Sequence, residues 1–302
     1  MKQEIQKFFK GDVEDSEEVL TKYSHDASLL EVRPQIVLFP KDSLDVQNLV
    51  KWVNENKNKY PSLSITARAA GTCMSGGSIG ESIILDFTRY MNHMIKFIDD
   101  VPQSPQNQQN SPALPSLRGL RHGSNFPVSA EIVVQPGMFY RDFEKITLEK
   151  NLILPCYTAS KSINAMGGMY GNNSAGERTL KYGKTEDYVI SAKVVFADGN
   201  EYVVKPLSEA ELANKIAQND FEGNVYKNIF NLINKNKEEI AHAKPQVHKN
   251  SAGYYIWNVL KDNSFNLNKL LVGSQGTLGI VTEITFKLIP QNTHSKLVVI
   301  FM

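Results

Sequence analysis

The feature that most constrains this chain is a long run of small residues, Arg68-Ala69-Ala70-Gly71-Thr72-Cys73-Met74-Ser75-Gly76-Gly77-Ser78-Ile79-Gly80. A segment so poor in large apolar side chains is not a core element. It is a loop that lets something approach its backbone. Short apolar runs bounded by turn signals flank it and read as strands: Ser64-Ile65-Thr66-Ala67 before it and Ile83-Ile84-Leu85-Asp86-Phe87 after it. Upstream lies a further apolar run, Ile36-Val37-Leu38-Phe39. Asp42 or Ser43 then caps a helix, because its side-chain oxygen takes an orphan backbone N–H. Leu44, Leu49, Val50 and Val53 recur at helical spacing and carry that helix to about Asn56. Strand, helix, strand implies a parallel crossover, with the small-residue loop at its end.

The remaining pattern extends this start. The stretch up to about Lys22 is acidic and helical in character. Met94 to Asp99 and Glu131 to Gln135 read as a strand pair, and a Pro-, Gln- and Asn-rich stretch opens at Val101 between them. Such a composition cannot bury apolar surface, so about 101–127 is an excursion inserted into the fold. A helix is expected over Tyr140 to Asn151, and a Gly/Asn/Ser-rich block follows from Ala165 to Gly176. Tyr188 to Phe196 is a strand that turns at Asp198-Gly199 and returns through Tyr202-Val203-Val204, since Asp-Gly between apolar runs signals a hairpin. Helices are read at Glu209 to Asn219 and Val225 to Glu239, and a short strand at Leu270-Leu271-Val272. From Ile280 to Leu288 the residues alternate, placing Ile280, Thr282, Ile284, Phe286 and Leu288 on one face of a strand in an antiparallel sheet. Lys296 to Met302 opens another apolar strand, and a domain seldom stops on such a run, so the natural chain is expected to continue.

Composition narrows the classes of function. Lys+Arg is 33 and Asp+Glu is 32, so there is no basic excess of the kind a nucleic-acid binder shows. No stretch reaches the roughly 18 apolar residues of a membrane span, and Met1-Lys2-Gln3-Glu4-Ile5 lacks the apolar centre of a signal peptide. The two cysteines, Cys73 and Cys156, form no disulfide framework and no four-ligand metal site. Both are expected to be small buried side chains. The histidines show no metal-ligand spacing. The reading is a reduced, cytoplasmic protein, either free or peripheral to the inner face of the membrane.

Three familiar templates fail. No Gly-x-Gly-x-x-Gly lies between a strand and a helix. Gly183-Lys184-Thr185 ends like a phosphate-binding loop, but the earlier position that must be glycine is Arg178. Gly76-Gly77-Ser78-Ile79-Gly80 matches a hydrolase elbow in letters only, because a long loop precedes it and a strand follows. What remains are three glycine-bearing segments at strand ends: Arg68–Gly80, Gly167–Gly176 and Gly273-Ser274-Gln275-Gly276-Thr277-Leu278-Gly279. Successive backbone N–H groups in such segments form concave anion sites. Arg68 adds a positive charge, and Thr72, Ser75 and Ser174 add hydroxyl donors. Three of them together favour a large phosphate-bearing ligand over ordinary turns.

These residues resemble a known family. Arg68-Ala69-Ala70-Gly71-Thr72 with Ser75-Gly76-Gly77 is similar to the pyrophosphate loop of the PCMH-type (vanillyl-alcohol-oxidase-type) FAD fold. Gly167-Gly168-Met169, Asn172-Asn173-Ser174-Ala175-Gly176 and Lys181-Tyr182-Gly183-Lys184-Thr185-Glu186-Asp187 resemble its second flavin segment, and Gly276 to Thr282 its closing strand. Tyr23-Ser24-His25-Asp26-Ala27-Ser28 with Arg33-Pro34 resembles the leading segment of D-lactate dehydrogenases and glycolate oxidase subunits. The resemblance runs from about Tyr23 to Pro290 outside the polar insertion.

The resemblance implies an α+β fold, with a small parallel α/β lobe, a larger mixed-sheet lobe and FAD between them. It divides the chain into an N-terminal helical extension (1–28), an FAD-binding domain of two lobes (about 29–90 and 91–290) and the start of a C-terminal substrate domain (291–302). Arg68, Ala69, Ala70, Gly71, Thr72, Cys73, Ser75, Gly76 and Gly77 would wrap the pyrophosphate. Pro155, Thr158 and Ser160 would lie along the cofactor. Gly167, Gly168, Asn172, Ser174 and Gly176 would face the flavin, its ribityl chain or its phosphates, with Tyr182 and Gly183 near the same cleft. Gly279 and Ile280 would meet the adenine side, and Asn250 and Tyr254 are further cleft candidates.

The chain also departs from the family pattern. Ala69 and Ala70 stand where glycines are common, so those positions are expected to have ordinary dihedrals. Gln275 stands for a frequent glutamate. Relatives that link FAD covalently carry a histidine in the first loop; here there is none, which implies noncovalent FAD. The implied activity is hydride transfer from a small 2-hydroxy acid to FAD. No catalytic base is named, since the family's catalytic and metal-binding histidines lie in the following domain, and a further segment or partner is expected to be needed for turnover. Two other readings use the same fold: a flavin-carrying electron-relay subunit of a larger redox complex, and a cell-wall sugar-nucleotide reductase.

Overall fold

The computed structural model describes residues 1–99, 130–247, 250–251, 253–292 and 298–299. The polar insertion at 101–127, and the apolar run at 296–302 apart from 298–299, lie outside the described residues.

The first lobe is a four-stranded sheet. Its strands are β1 (Asp12–Glu14), β2 (Ile36–Phe39), β3 (Ile65–Arg68) and β4 (Ile83–Asp86), in the order β1-β2-β4-β3. β2 and β3 both run parallel to β4, as the crossover pattern requires. The crossover helix α1 (Ser43–Asn56) starts where Asp42 accepts the Asp45 N–H at 3.0 Å, so Asp42 is the cap. Val46, Leu49, Val50 and Val53 of α1 are buried against the sheet, whereas Leu44 is exposed. The N-terminal stretch is not helical throughout. Between the short helices Lys2–Ile5 and Glu17–Tyr23 it forms β1, which pairs antiparallel with β2. Ile5, Phe9 and Val13 join the core of the lobe, because an edge position on β2 was open to be paired.

The second lobe is built on a larger sheet. Its strands are β5 (Met94–Ile98), β6 (Ala130–Val134), the short β7 (Leu152–Ile153), β8 (Val189–Val195), β9 (Glu201–Val204) and β10 (Ile280–Pro290). The order is β5-β6-β10-β8-β9, with β7 on the end of β10, and every described pairing is antiparallel. Mixed strand direction therefore occurs in the small sheet, through β1, and not in the large one. The last described strand is the central one: β10 pairs β6 on one side and β8 on the other. Ile280, Thr282, Ile284, Phe286 and Leu288 are buried, as the alternation predicts. The β8–β9 hairpin turns at Gly199, whose φ of 76° needs glycine.

Four helices matter for the site or its support: α2 (Tyr140–Glu149), α3 (Met166–Gly171), α4 (Glu209–Ile216) and α5 (Phe221–Lys235). A fifth, α6 (Asn268–Leu271), replaces the expected strand at Leu270-Leu271-Val272. Asn268 decides this. It is 1% exposed, its side chain donates to Val204 O at 2.9 Å and accepts from Tyr170 Oη at 3.1 Å, and its backbone O takes the Val272 N–H at 2.8 Å. A buried amide tied on both sides fixes a helical turn that a short apolar run does not reveal.

Candidate functional site

The small-residue loop begins where β3 ends. Arg68 stands opposite Asp86 in the β3–β4 register. Its guanidinium donates to Ser78 O at 3.1 Å and lies 5.0 Å from the centre of the Tyr23 ring. Burial pulls the Arg68 pKa down, while the negative charge of Asp86 works the other way. Arginine starts so high that it stays a cation. Burial pushes the Asp86 carboxyl up, and donation from Thr88 N (2.7 Å) and Thr88 Oγ1 (2.6 Å) opposes the rise.

Beyond Arg68 the backbone turns through the left-handed region at Gly71 (φ 66°) and Gly76 (φ 77°); Ala69 and Ala70 keep ordinary dihedrals, as expected. A side chain at Gly71 would also run into the Arg68 guanidinium, with Cζ 2.7 Å from the added carbon. The segment after Tyr23 ties this loop down: Ala27 N donates to Gly71 O at 3.2 Å, and Ser78 Oγ to Asp26 Oδ2 at 3.1 Å.

The facing wall comes from the second lobe. Gly167 N donates to Pro136 O at 2.7 Å, and a side chain there would meet Pro136 Cβ at 2.6 Å. Gly168, by contrast, has room for a side chain; the nearest atom to an added carbon is Ala69 Cβ, at an ordinary contact distance of 3.7 Å. After α3 the chain turns at Asn173 (φ 45°), which is fully buried and accepts the Glu186 N–H at 3.1 Å. The third segment closes the wall. Gly273 N donates to Tyr170 O at 3.0 Å and Gln275 N to Gly171 O at 2.9 Å. Gln275 and Gly276 have φ values of 53° and 80°. Gln275 reaches back across to Gly77, where an added side chain would strike its amide.

These walls line a half-open cleft between the lobes. Fourteen of the residues named from the sequence line it: Arg68, Ala69, Ala70, Gly71, Thr72, Cys73, Gly77, Thr158, Ser160, Gly167, Gly168, Asn172, Ser174 and Gly279. Seven do not. Ser75 sits on the outer turn beside Cys73 (Oγ to Sγ 3.2 Å), and Gly76 turns against Leu30. Pro155 and Tyr182 are buried inside the second lobe, where Tyr182 Oη accepts from Asn292 Nδ2 at 3.0 Å. Gly176 packs on the Tyr157 carbonyl, Gly183 (φ 78°) ends the short helix Thr179–Tyr182, and Ile280 packs into the core of the first lobe. Asn250 and Tyr254 also lie off the cleft; Tyr254 Oη pairs with Thr277 Oγ1 at 2.8 Å.

Cys73 is half-exposed on the cleft wall and not buried as expected, because its loop is short of neighbours on that side. Cys156 is buried, and burial pushes its thiol up to about 12. The sequence reading missed the apolar lining, including Phe87, Pro136, Val194, Leu271 and Val281, and it missed Asn164. The strand residues among them look like any core position. Gln275 and Gly276 were visible as a glycine-bearing segment and also line the cleft.

The donor set fits a dinucleotide. Among the described lining residues Arg68 is the only charged one. It is joined by loop backbone turned by positive-φ glycines and by the hydroxyls of Thr72, Ser78, Thr158, Ser160 and Ser174. One fixed cation with a nest of N–H groups suits a pyrophosphate, and the apolar strand residues suit a flat ring. No group of three or more His, Cys, Asp or Glu that could hold a metal occurs among the described residues.

Comparison with known proteins agrees. The FAD binding domain family matches residues 34–104 and 114–214, more than half of the chain. The chain belongs to that family. It is similar to the D-2-hydroxyglutarate dehydrogenase of Pantoea ananatis (26% identical over 285 residues, 93% of this chain and 25% of that protein). It is also similar to the glycolate oxidase subunit GlcD of Bacillus subtilis (25% over 276 residues, 91% of this chain and 41% of that protein). Among solved structures it resembles an alkyldihydroxyacetonephosphate synthase, with a TM-score of 0.56, 16% identity, and coverage of 95% of this chain and 40% of that one. It also resembles the 6-hydroxy-D-nicotine oxidase of Arthrobacter nicotinovorans, with a TM-score of 0.53, 17% identity, and coverage of 93% and 43%. The fold is thus the PCMH-type FAD-binding fold. The chain spans a quarter to two fifths of the length of these relatives.

Proposed function

We propose that this chain is the FAD-binding part of a flavin-dependent dehydrogenase acting on a 2-hydroxy acid of the D-2-hydroxyglutarate, D-lactate or glycolate kind. The observation that carries the reading is the cleft between the lobes, with Arg68 as its one charged lining residue among those described, in a chain similar to enzymes with those names. FAD, when bound, supplies the hydride acceptor. Arg68 and the backbone of Ala69–Cys73 and Gly77 would hold its anionic centre. Gly168, lacking a side chain, lets the cofactor lie against α3. Val194, Leu271 and Val281 exclude water from the inner wall. Among the described lining residues there is no His, Asp, Glu or Lys. FAD is held noncovalently, a reading that rests on the first loop, Arg68–Gly80, having no histidine.

The test is spectroscopic. Purified protein shows flavin absorbance, and acid precipitation releases the chromophore to the supernatant; colour kept in the pellet would refute noncovalent binding. Anaerobic addition of each hydroxy acid, to the protein together with any co-purifying subunit, bleaches the flavin band. A second reading, a flavin-carrying relay subunit, is favoured by the likeness to GlcD, itself named as a subunit. In that case the band stays oxidised with every hydroxy acid and bleaches only through a redox partner.

A further inference from the structure

Three buried side-chain polar atoms lack a hydrogen-bond partner among the described residues: Asn164 Oδ1, Asn173 Nδ2 and Tyr255 Oη. Of these residues Asn164 alone lines the cleft. It is 4% exposed and held by its backbone, with N donating to Ser160 O at 2.9 Å and O accepting from Tyr140 N at 3.0 Å. Its Nδ2 donates to Thr158 Oγ1 at 2.9 Å, and that hydroxyl lies 2.8 Å from Ser160 Oγ. Exchanging the amide oxygen and nitrogen changes nothing: the Thr158 hydroxyl then donates to Oδ1, and Nδ2 is the unpaired atom. One end of the amide is satisfied by cleft hydroxyls and the other by nothing. Leaving a buried polar atom unpaired is unfavourable for the fold, and an apolar side chain of the same size would avoid it.

We propose that Asn164 is a cofactor-binding residue whose unpaired amide end hydrogen-bonds a ring edge or sugar-chain hydroxyl of FAD, with Thr158 and Ser160 holding the amide in place. The inference rests on the FAD reading above. The ring edges of FAD and its ribityl and ribose hydroxyls carry donors beside acceptors, so either end of the amide finds a match there, whereas the phosphates carry acceptors only and have Arg68 to meet them.

The test uses Asn164→Leu and Asn164→Ala, with FAD titrated by flavin fluorescence and each cofactor-free protein melted separately. Both variants weaken FAD binding about tenfold, the worth of one such hydrogen bond. The cofactor-free Asn164→Leu protein melts no lower than the wild type, because its unpaired polar atom is gone. A lower melting temperature with unchanged FAD affinity would make Asn164 a structural amide and overturn the proposal. So would weakened binding in Asn164→Leu alone, which is a steric block. If the wild type itself fails to bind FAD, the cofactor reading falls first and this inference with it.

Discussion

The two walls of the cleft are made differently. The first-lobe wall, the loop after β3, carries the charge: Arg68 is its cation, and residues Ala69 to Gly77 are half-exposed or exposed, with Met74 83% exposed. The second-lobe wall, α3 and the turn after it, carries the shape. Met166, Met169, Tyr170 and Asn173 are all buried there, and Gly167 packs tightly on Pro136. The first wall therefore acts mainly on affinity. The second acts on affinity at the residues that face the cleft and on stability at those that face the core.

The largest effect tests the charge. Arg68→Met raises the FAD dissociation constant about a hundredfold, since charge-assisted hydrogen bonds are worth about 1.5–3 kcal/mol; titration calorimetry reads it. A change under about threefold would mean that the loop backbone alone holds the anion, and the contrast between the walls would collapse.

A pair of neighbours tests the shape. Gly167→Ala places its new carbon 2.6 Å from Pro136 Cβ and 2.9 Å from Pro136 O, and overpacking of this kind costs about 1–3 kcal/mol. Gly168→Ala meets nothing nearer than 3.7 Å, so it leaves the melting temperature in place and weakens FAD binding about tenfold by filling cofactor space. If the two variants respond alike, the second wall does not divide into a core side and a cofactor side.

The smallest effect is kinetic. In the native protein a thiol reagent labels Cys73 and spares Cys156, because burial excludes the reagent from Cys156 and pushes its thiol up to about 12. Saturating FAD slows the labelling of Cys73, and unfolding releases both thiols. Labelling of Cys73 at the same rate with and without FAD would place the cofactor away from the first wall.

Much of this was legible in the residues, for local reasons. The Asp42 cap, the Asp198-Gly199 turn and the alternation along β10 are properties of a few neighbours, and the structure has each of them where the pattern put it. The glycine-bearing loops were legible as sharp turns because positive φ and small side chains are written in the residue types; Gly71, Gly76 and Gly276 have positive φ. The failures share another cause. β1 pairs in a stretch read as helical, α6 forms where a strand was expected, and Cys73 is half-exposed where burial was expected. Each depends on a partner distant in the chain: β2 for β1, Val204 and Tyr170 for Asn268, and the open cleft for Cys73.

The sequence by itself determined most elements of the two lobes, β1 and α6 apart, together with the parallel crossover and the glycine-bearing loops, since propensity, capping and turn chemistry act over a few residues. Only the tertiary structure decided that the last described strand lies at the centre of its sheet. It alone brought Val194, Leu271 and Val281 together as one wall and left the Asn164 amide half-paired. Hydrophobic burial is non-directional: a pattern of apolar residues tells which face turns inward, and only the folded chain tells what it turns toward.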